Sequence, residues 1–171
     1  FDVAAYVWPS YHDEPRSRIF WTKGFGEWQS VLSARPKYEG HLSPRLPMWG
    51  PVNEADPYVM RMEIDAAADH GVNTFIYDWY WYDGRPFLEG CLNNGFLKAQ
   101  NNSRMRFYLM WANHDATSLW CKDISDYDNT VVWRGSVGHE EFLRIMERLT
   151  EKYFTHPLYY RIDGKPVFMI Y

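Results

Sequence analysis

Apolar residues in this chain fall into two recurring patterns. Four short runs are apolar on both faces, as the buried strands of a parallel sheet are: residues 3–8 (VAAYVW), 74–77 (TFIY), 106–111 (RFYLMW) and 166–171 (PVFMIY). Between them the apolar positions recur every three or four residues, the spacing of helices that bury one face. The first helix opens with Asp56 as N-cap and Pro57 at its first position, gathers Val59, Met62, Ala66 and Ala67 on one side, and closes at Gly71. A second, over about residues 86–98, stacks Phe87, Leu88, Cys91, Leu92 and Phe96, although Gly90 and Gly95 weaken it. A third, over about residues 139–154, carries Phe142, Ile145, Met146, Leu149 and Tyr153 on one stripe with Glu140, Glu141, Arg144, Arg148 and Glu151 outside it.

Strands alternating with helices imply a parallel sheet with right-handed crossovers. Two architectures satisfy that order, half of a barrel or a small doubly wound sheet. The long connections follow strands, about 45 residues over 9–55 and about 25 over 112–138, whereas the turns entering strands at 71–73 and 163–165 are short. Elaboration at the strands' C-terminal ends is the habit of barrels, and no glycine-rich phosphate loop follows the first strand. The expected fold is therefore α/β, a partial (β/α)8 TIM barrel of about four parallel strands and three helices. It takes residues 1–171 as one domain, the N-terminal half of the barrel. Four strands leave two open edges and a bare lining, so the remaining half-barrel or a second copy is expected to cover them.

Composition narrows the function. With 46% apolar residues the chain can bury a core, yet no run approaches the ~18 apolar residues that span a bilayer. Its net charge of −4 and lack of clustered Lys and Arg speak against nucleic acid. Cys91 and Cys121 are too few for a disulfide framework and are read as two packed thiols. The sequence opens within a strand without an initiator Met, so any targeting segment is expected to lie outside it, and no compartment is legible. Asn101-Asn102-Ser103 fits a glycosylation sequon, a pattern short enough to occur by chance.

The outlier is aromatic content, 19% of the chain. Much of it lies in runs of mixed aromatic and polar character just past the strands, where a barrel collects its active site. Trp8 and His12 follow the first strand, Asp78, Trp79, Tyr80, Trp81 and Tyr82 the second, and Trp111, Asn113, His114 and Asp115 the third. Flat rings suit the C–H face of a sugar, and adjacent Asp, Asn, His and Tyr groups suit its hydroxyls. Each piece also has a structural reading: Trp8, Trp79 and Trp111 as plugs of the barrel top, the histidines as hydrogen-bonded loop residues, Asp78 as a turn cap. His12, Asp13, His114 and Asp115 match no metal-site spacing, so neither a metal nor another cofactor is expected.

Several segments then become recognisable: WTKGFGEWQSV at 21–31, RPKYEGHLSPRLP at 35–47, DPYVMRMEIDAAADHGVNTFIYDWYWYDGRPFLE at 56–89, LMWANHD at 109–115 and YFTHPLYYRIDGKPVFMIY at 153–171. In this order, over nearly the whole chain, they resemble the glycoside hydrolase family 99-like proteins, also labelled WbsX-type glycosyltransferases and related to endo-α-mannosidases. The resemblance implies a (β/α)8 barrel acting on polysaccharide or oligosaccharide, mannose-containing among them, with retention. One carboxyl assists attack by the substrate's own 2-hydroxyl while another protonates the leaving group. Those carboxyls are expected in an Asn-Glu-Trp-x-Glu-type segment late in the barrel, which does not occur here, so the catalytic pair is expected downstream and the isolated chain to be inactive. Matching positions carried over as binding residues are Glu27, Trp28, Asp78, Trp79, Tyr80, Trp81, Trp111 and Asn113. Where many relatives read Trp-Ala-Asn-Glu this chain has Trp111-Ala112-Asn113-His114, so an imidazole or Asp115 takes a carboxylate's place. A sugar-nucleotide-dependent transferase and a non-catalytic carbohydrate-binding module are the alternative readings.

Overall fold

The computed structural model describes residues 1–120 and 129–171. Its strands are β1 (Ala4–Val7), β2 (Thr74–Tyr82), β3 (Arg85–Phe87), β4 (Arg106–Trp111), β5 (Ala116–Thr117), β6 (Val131–Trp133), β7 (Arg161–Ile162), β8 (Lys165–Pro166) and β9 (Phe168–Ile170), and its α-helices α1 (Trp28–Leu32), α2 (Pro57–Asp69) and α3 (His139–Leu149). The main sheet runs β1-β2-β4-β9, every pair parallel, with Ala4 opposite Thr74, Asp78 opposite Met110 and Met110 opposite Met169. Neighbours in the sheet follow one another in the chain, as in a barrel, whereas a doubly wound sheet would reverse direction part-way. Among the described residues β1 and β9 each lack a second neighbour. No helix is long and apolar enough to cross a membrane among those residues.

Four expectations are corrected. First, β2 does not stop at Tyr77. It continues to Tyr82 and turns back through Asp83-Gly84 into β3, with Tyr82 opposite Arg85. Both turn residues have positive φ, 54° and 68°, the type I′ geometry that an Asp-Gly pair favours. Second, the helix over 86–98 is absent as such, since Pro86 and Phe87 belong to β3. The chain then coils as a π-helical turn over Cys91–Gly95 and a 3-10 turn over Phe96–Lys98. Third, α2 has the expected cap, Asp56 accepting from the Tyr58 amide at 2.8 Å, but Met60 and Ile64 are its fully buried residues, with Val59, Met62 and Ala66 beside them only half-buried. Fourth, the last parallel strand is only Phe168–Ile170, because Pro166 pairs in a small β7–β8 hairpin. Cys91 is a buried free thiol, whereas Cys121 lies outside the described residues. The amide nitrogen of Asn101 donates to Asp65 Oδ1 at 2.7 Å, tying the sequon to α2.

Two carboxyls, Glu54 in the turn before α2 and Glu63 on it, are largely buried. Burial, then the charge of Glu63, pushes Glu54 up to about 8, and burial lifts Glu63 to about 7. Buried Tyr77 and Cys91 lie against them, and Glu54 Oε2 has no hydrogen-bond partner. A carboxyl whose folded-state pKa is raised keeps a proton that the unfolded chain has already released. Stability therefore falls as pH rises from about 4.5 through about 8. Glu54→Gln is expected to remove much of this slope and to leave the variant more stable than the parent near pH 8, by about 1 kcal/mol or more. Urea unfolding across that range checks it, and parallel profiles for the two proteins would refute it.

Candidate functional site

Because β2 is a strand through Tyr82, its side chains alternate, and this divides the aromatic run. Asp78 and Tyr80 face the concave side of the sheet. Trp79 and Trp81 face the helices, where both are buried and stack on each other at 5.8 Å. The Trp79 indole donates to Glu89 Oε1 and the Trp81 indole to Glu141 Oε1, each at 2.8 Å. Trp111 joins them on that side and stacks on Phe142 of α3 at 6.3 Å. The three tryptophans read from the sequence as one sugar-facing rim thus belong to the layer between sheet and helices.

The concave side holds a cavity of about 370 Å³. Tyr6 and Trp8 line it from β1 and its end, Asp78 and Tyr80 from β2, Met110, Ala112 and His114 from β4 and its end, and Tyr171 from the end of β9. All four parallel strands contribute. Asp78 Oδ1 and the Tyr80 hydroxyl are buried there without a hydrogen-bond partner. Burial raises Asp78 to about 6, against a smaller opposing pull from His114, and burial also raises Tyr80. His114 Nδ1 lies 3.0 Å from the Asp115 carbonyl, which can only accept, so Nδ1 carries a proton and donates to it. Asp115 itself is occupied, accepting from the Gly135 amide at 2.8 Å and holding the loop that carries β6. Asn113 is exposed at the rim.

The long first connection supplies the remaining wall. Glu27 Oε2 accepts from the Trp8 indole at 2.5 Å and from Ser10 Oγ at 2.6 Å, so it orients the ring of Trp8, which meets Tyr80 edge-on at 5.8 Å. Trp28 is placed elsewhere: its indole donates to the Val52 carbonyl at 2.7 Å and its ring lies on Tyr11 at 4.4 Å. His12 is 3% exposed, and burial depresses its pKa to about 4, leaving a neutral imidazole packed on Gly90. Of the twelve residues singled out from sequence, the cavity collects Trp8, Asp78, Tyr80 and His114, with Glu27 and Asp115 behind them. It does not collect His12, Trp28, Trp79, Trp81, Trp111 or Asn113. Sequence reasoning missed Tyr6 and Met110, although Tyr6 has the strand parity of Trp8 and Met110 pairs with Asp78 across the sheet. Among the described residues, no three His, Cys, Asp or Glu side chains are arranged to hold a metal ion.

A family model described as Glycosyltransferase WbsX matches residues 3–171. Two curated relatives, both called uncharacterized protein WxcX, come from two strains of Xanthomonas campestris pv. campestris. Each is 28% identical over 170 residues, which is 99% of this chain and 24% of the relative. Two solved structures of a GH99 endo-α-mannosidase from Bacteroides thetaiotaomicron superpose with TM-scores of 0.53 and 0.51 at 15% identity. They match 98% of this chain and 40% and 43% of theirs, a likeness of fold. The chain therefore spans about a quarter of the curated relatives it matches and two fifths of the solved barrels.

Proposed function

The chain belongs to the glycosyltransferase WbsX family, and from that premise we propose that it forms the sugar-holding wall of a carbohydrate-active enzyme, with the cavity on the concave face of the sheet as its cleft. The observation that carries this reading is the pair of buried, unpartnered polar atoms, Asp78 Oδ1 and the Tyr80 hydroxyl, inside an aromatic-walled cavity. Each such orphan costs about 1–3 kcal/mol. Sugar hydroxyls both donate and accept. They can satisfy the carboxyl, the phenol and the His114 ring together while the C–H face rests on Trp8 or Tyr171.

The reaction is read as hydrolysis of an oligosaccharide or polysaccharide, with the acid and base carboxyls supplied from outside these residues and the open edges at β1 and β9 covered by further barrel strands or a second copy. The barrel likeness to an endo-α-mannosidase supports it, and so does the lining, which among the described residues contains no Lys or Arg. A nucleoside diphosphate donor would need positive charge there. The family's description favours the second reading, transfer from a sugar nucleotide. Titration with mannose-containing oligosaccharides should change tryptophan emission through Trp8, and a flat response from folded protein would end the binding reading. Stabilisation by sugar nucleotides alone, read as a raised melting temperature, would replace hydrolysis with transfer.

Tyr80→Phe sharpens the test. It deletes an unsatisfied buried hydroxyl, so the unliganded variant should melt no lower than the parent, while glycan affinity drops about threefold to tenfold for one lost hydrogen bond. Weaker binding that merely tracked a lower melting temperature would assign Tyr80 to the fold instead.

A further inference from the structure

Resting on the proposed sugar cleft, the charge pattern inside it says more about the ligand. One side chain there is a carboxyl, Asp78, with an oxygen that nothing in the protein satisfies. Around it stand the rings of Tyr6, Trp8 and Tyr171, the Tyr80 hydroxyl and the imidazole of His114, and among the described residues no Lys or Arg reaches the lining. Glu27, behind Trp8, adds negative charge to the same wall and is itself satisfied by Trp8 and Ser10. Neutral hydroxyls would fill the hydrogen-bond vacancies but bring the carboxylate no countercharge beyond the pull of His114. An anionic sugar would add to it. A carboxylate enclosed by aromatic rings is the arrangement that holds an ammonium group, which gains a charge-assisted hydrogen bond from the carboxylate and cation–π attraction from the rings.

We infer that the cleft recognises an amino sugar with a free, protonated amine, the ammonium seated between Asp78 and the accessible rings of Tyr6, Trp8 and Tyr171. The titratable groups facing Asp78 are Tyr6 and, at the end of β1, Glu27 through Trp8; Tyr80 on β2; His114 after β4; and Tyr171 after β9. Burial keeps the empty carboxyl partly protonated just below neutral pH, so seating a cation should drive its proton off. Amine binding should therefore release a fraction of a proton and strengthen as pH rises towards neutrality.

The test compares, on the unaltered protein near neutral pH, glucosamine and mannosamine with their N-acetyl forms and with glucose and mannose, by calorimetry in two buffers of different ionisation enthalpy. The free amines should bind about tenfold tighter than the neutral sugars, the size of one charge-assisted hydrogen bond, with proton release seen as a buffer-dependent heat. Asp78→Asn should bring the amines level with the neutral sugars. Neutral or acetylated sugars binding as tightly as the amines would overturn the amine assignment and leave the sugar cleft standing. No binding by any sugar would overturn both.

Discussion

Gly26→Ala is expected to destabilise the protein by about 3 kcal/mol or more, near the top of single-substitution effects, and to abolish the proposed glycan binding with it. Gly26 holds φ at +63°, a left-handed conformation that costs a residue with a Cβ about 1 kcal/mol. The greater part of the loss is steric. An added Cβ would overlap the carbonyl oxygens of Ser10 and His12, both of them backbone, so no side chain can swing aside to relieve it. The next residue is Glu27, whose amide donates to that same Ser10 carbonyl at 3.0 Å and whose carboxylate orients Trp8. Separating these two backbone segments therefore withdraws the support of the cavity's indole. Gly40→Ala is the control, since Gly40 has φ +80° but nothing near its would-be Cβ, and only the conformational cost applies. The melting temperature should fall about 6–12 °C for Gly26→Ala and only a few degrees for Gly40→Ala. Equal losses at the two glycines would mean that the close approach at Ser10 is not what holds the loop.

That dependence on a backbone contact explains what the sequence discloses and what it hides. Local rules placed α2, because Asp56-Pro57 and Gly71 act within one turn of the helix. They placed the parallel order as well, since strand–helix alternation leaves few topologies. The end of β2 was also legible in principle: Asp83-Gly84 after an aromatic run is a hairpin signal, and reading it would have split Asp78 and Tyr80 from Trp79 and Trp81 by parity. A period-two argument fails when the run is apolar on both faces, as in a strand buried between sheet lining and helices. The roles of Glu89 and Glu27 were beyond local reasoning, since each is defined by partners far along the chain: Glu89 by Arg148, and Glu27 by Trp8 and Ser10. Family resemblance flagged Glu27 without saying what it touches.

Removing Glu89 should produce the other large loss. Its two oxygens take a bidentate pair from Arg148 at 2.8 and 2.7 Å, Lys152 at 3.1 Å, the Trp79 indole at 2.8 Å and the Asn93 amide at 3.2 Å. The side chain is 11% exposed. Burial opposes its ionisation, yet the hydrogen bonds from Arg148 and Trp79 and the charges of Arg148 and Lys152 prevail and hold the carboxyl at about 2. A lowered folded-state value gives stability that is complete above the usual 4.5 and is lost as pH falls towards 2, about 3 kcal/mol in all. Glu89→Gln keeps the volume but strands the guanidinium, and because Arg148 and Lys152 are partly solvated the expected loss at neutral pH is about 2–4 kcal/mol. Urea unfolding near pH 6 and near pH 2 separates the causes: parent and variant should converge towards the acidic end, as Glu89 takes up its proton in both states of the parent. A gap that persisted there undiminished would show that packing, not charge, makes the difference. A second arm follows the cleft, because Trp79 and its neighbours Asp78 and Tyr80 lie back to back on one strand. Loosening the indole from Glu89 should weaken the proposed glycan binding at neutral pH, and pairing Glu89→Gln with Arg148→Met, which removes the stranded charge, should restore part of both stability and affinity.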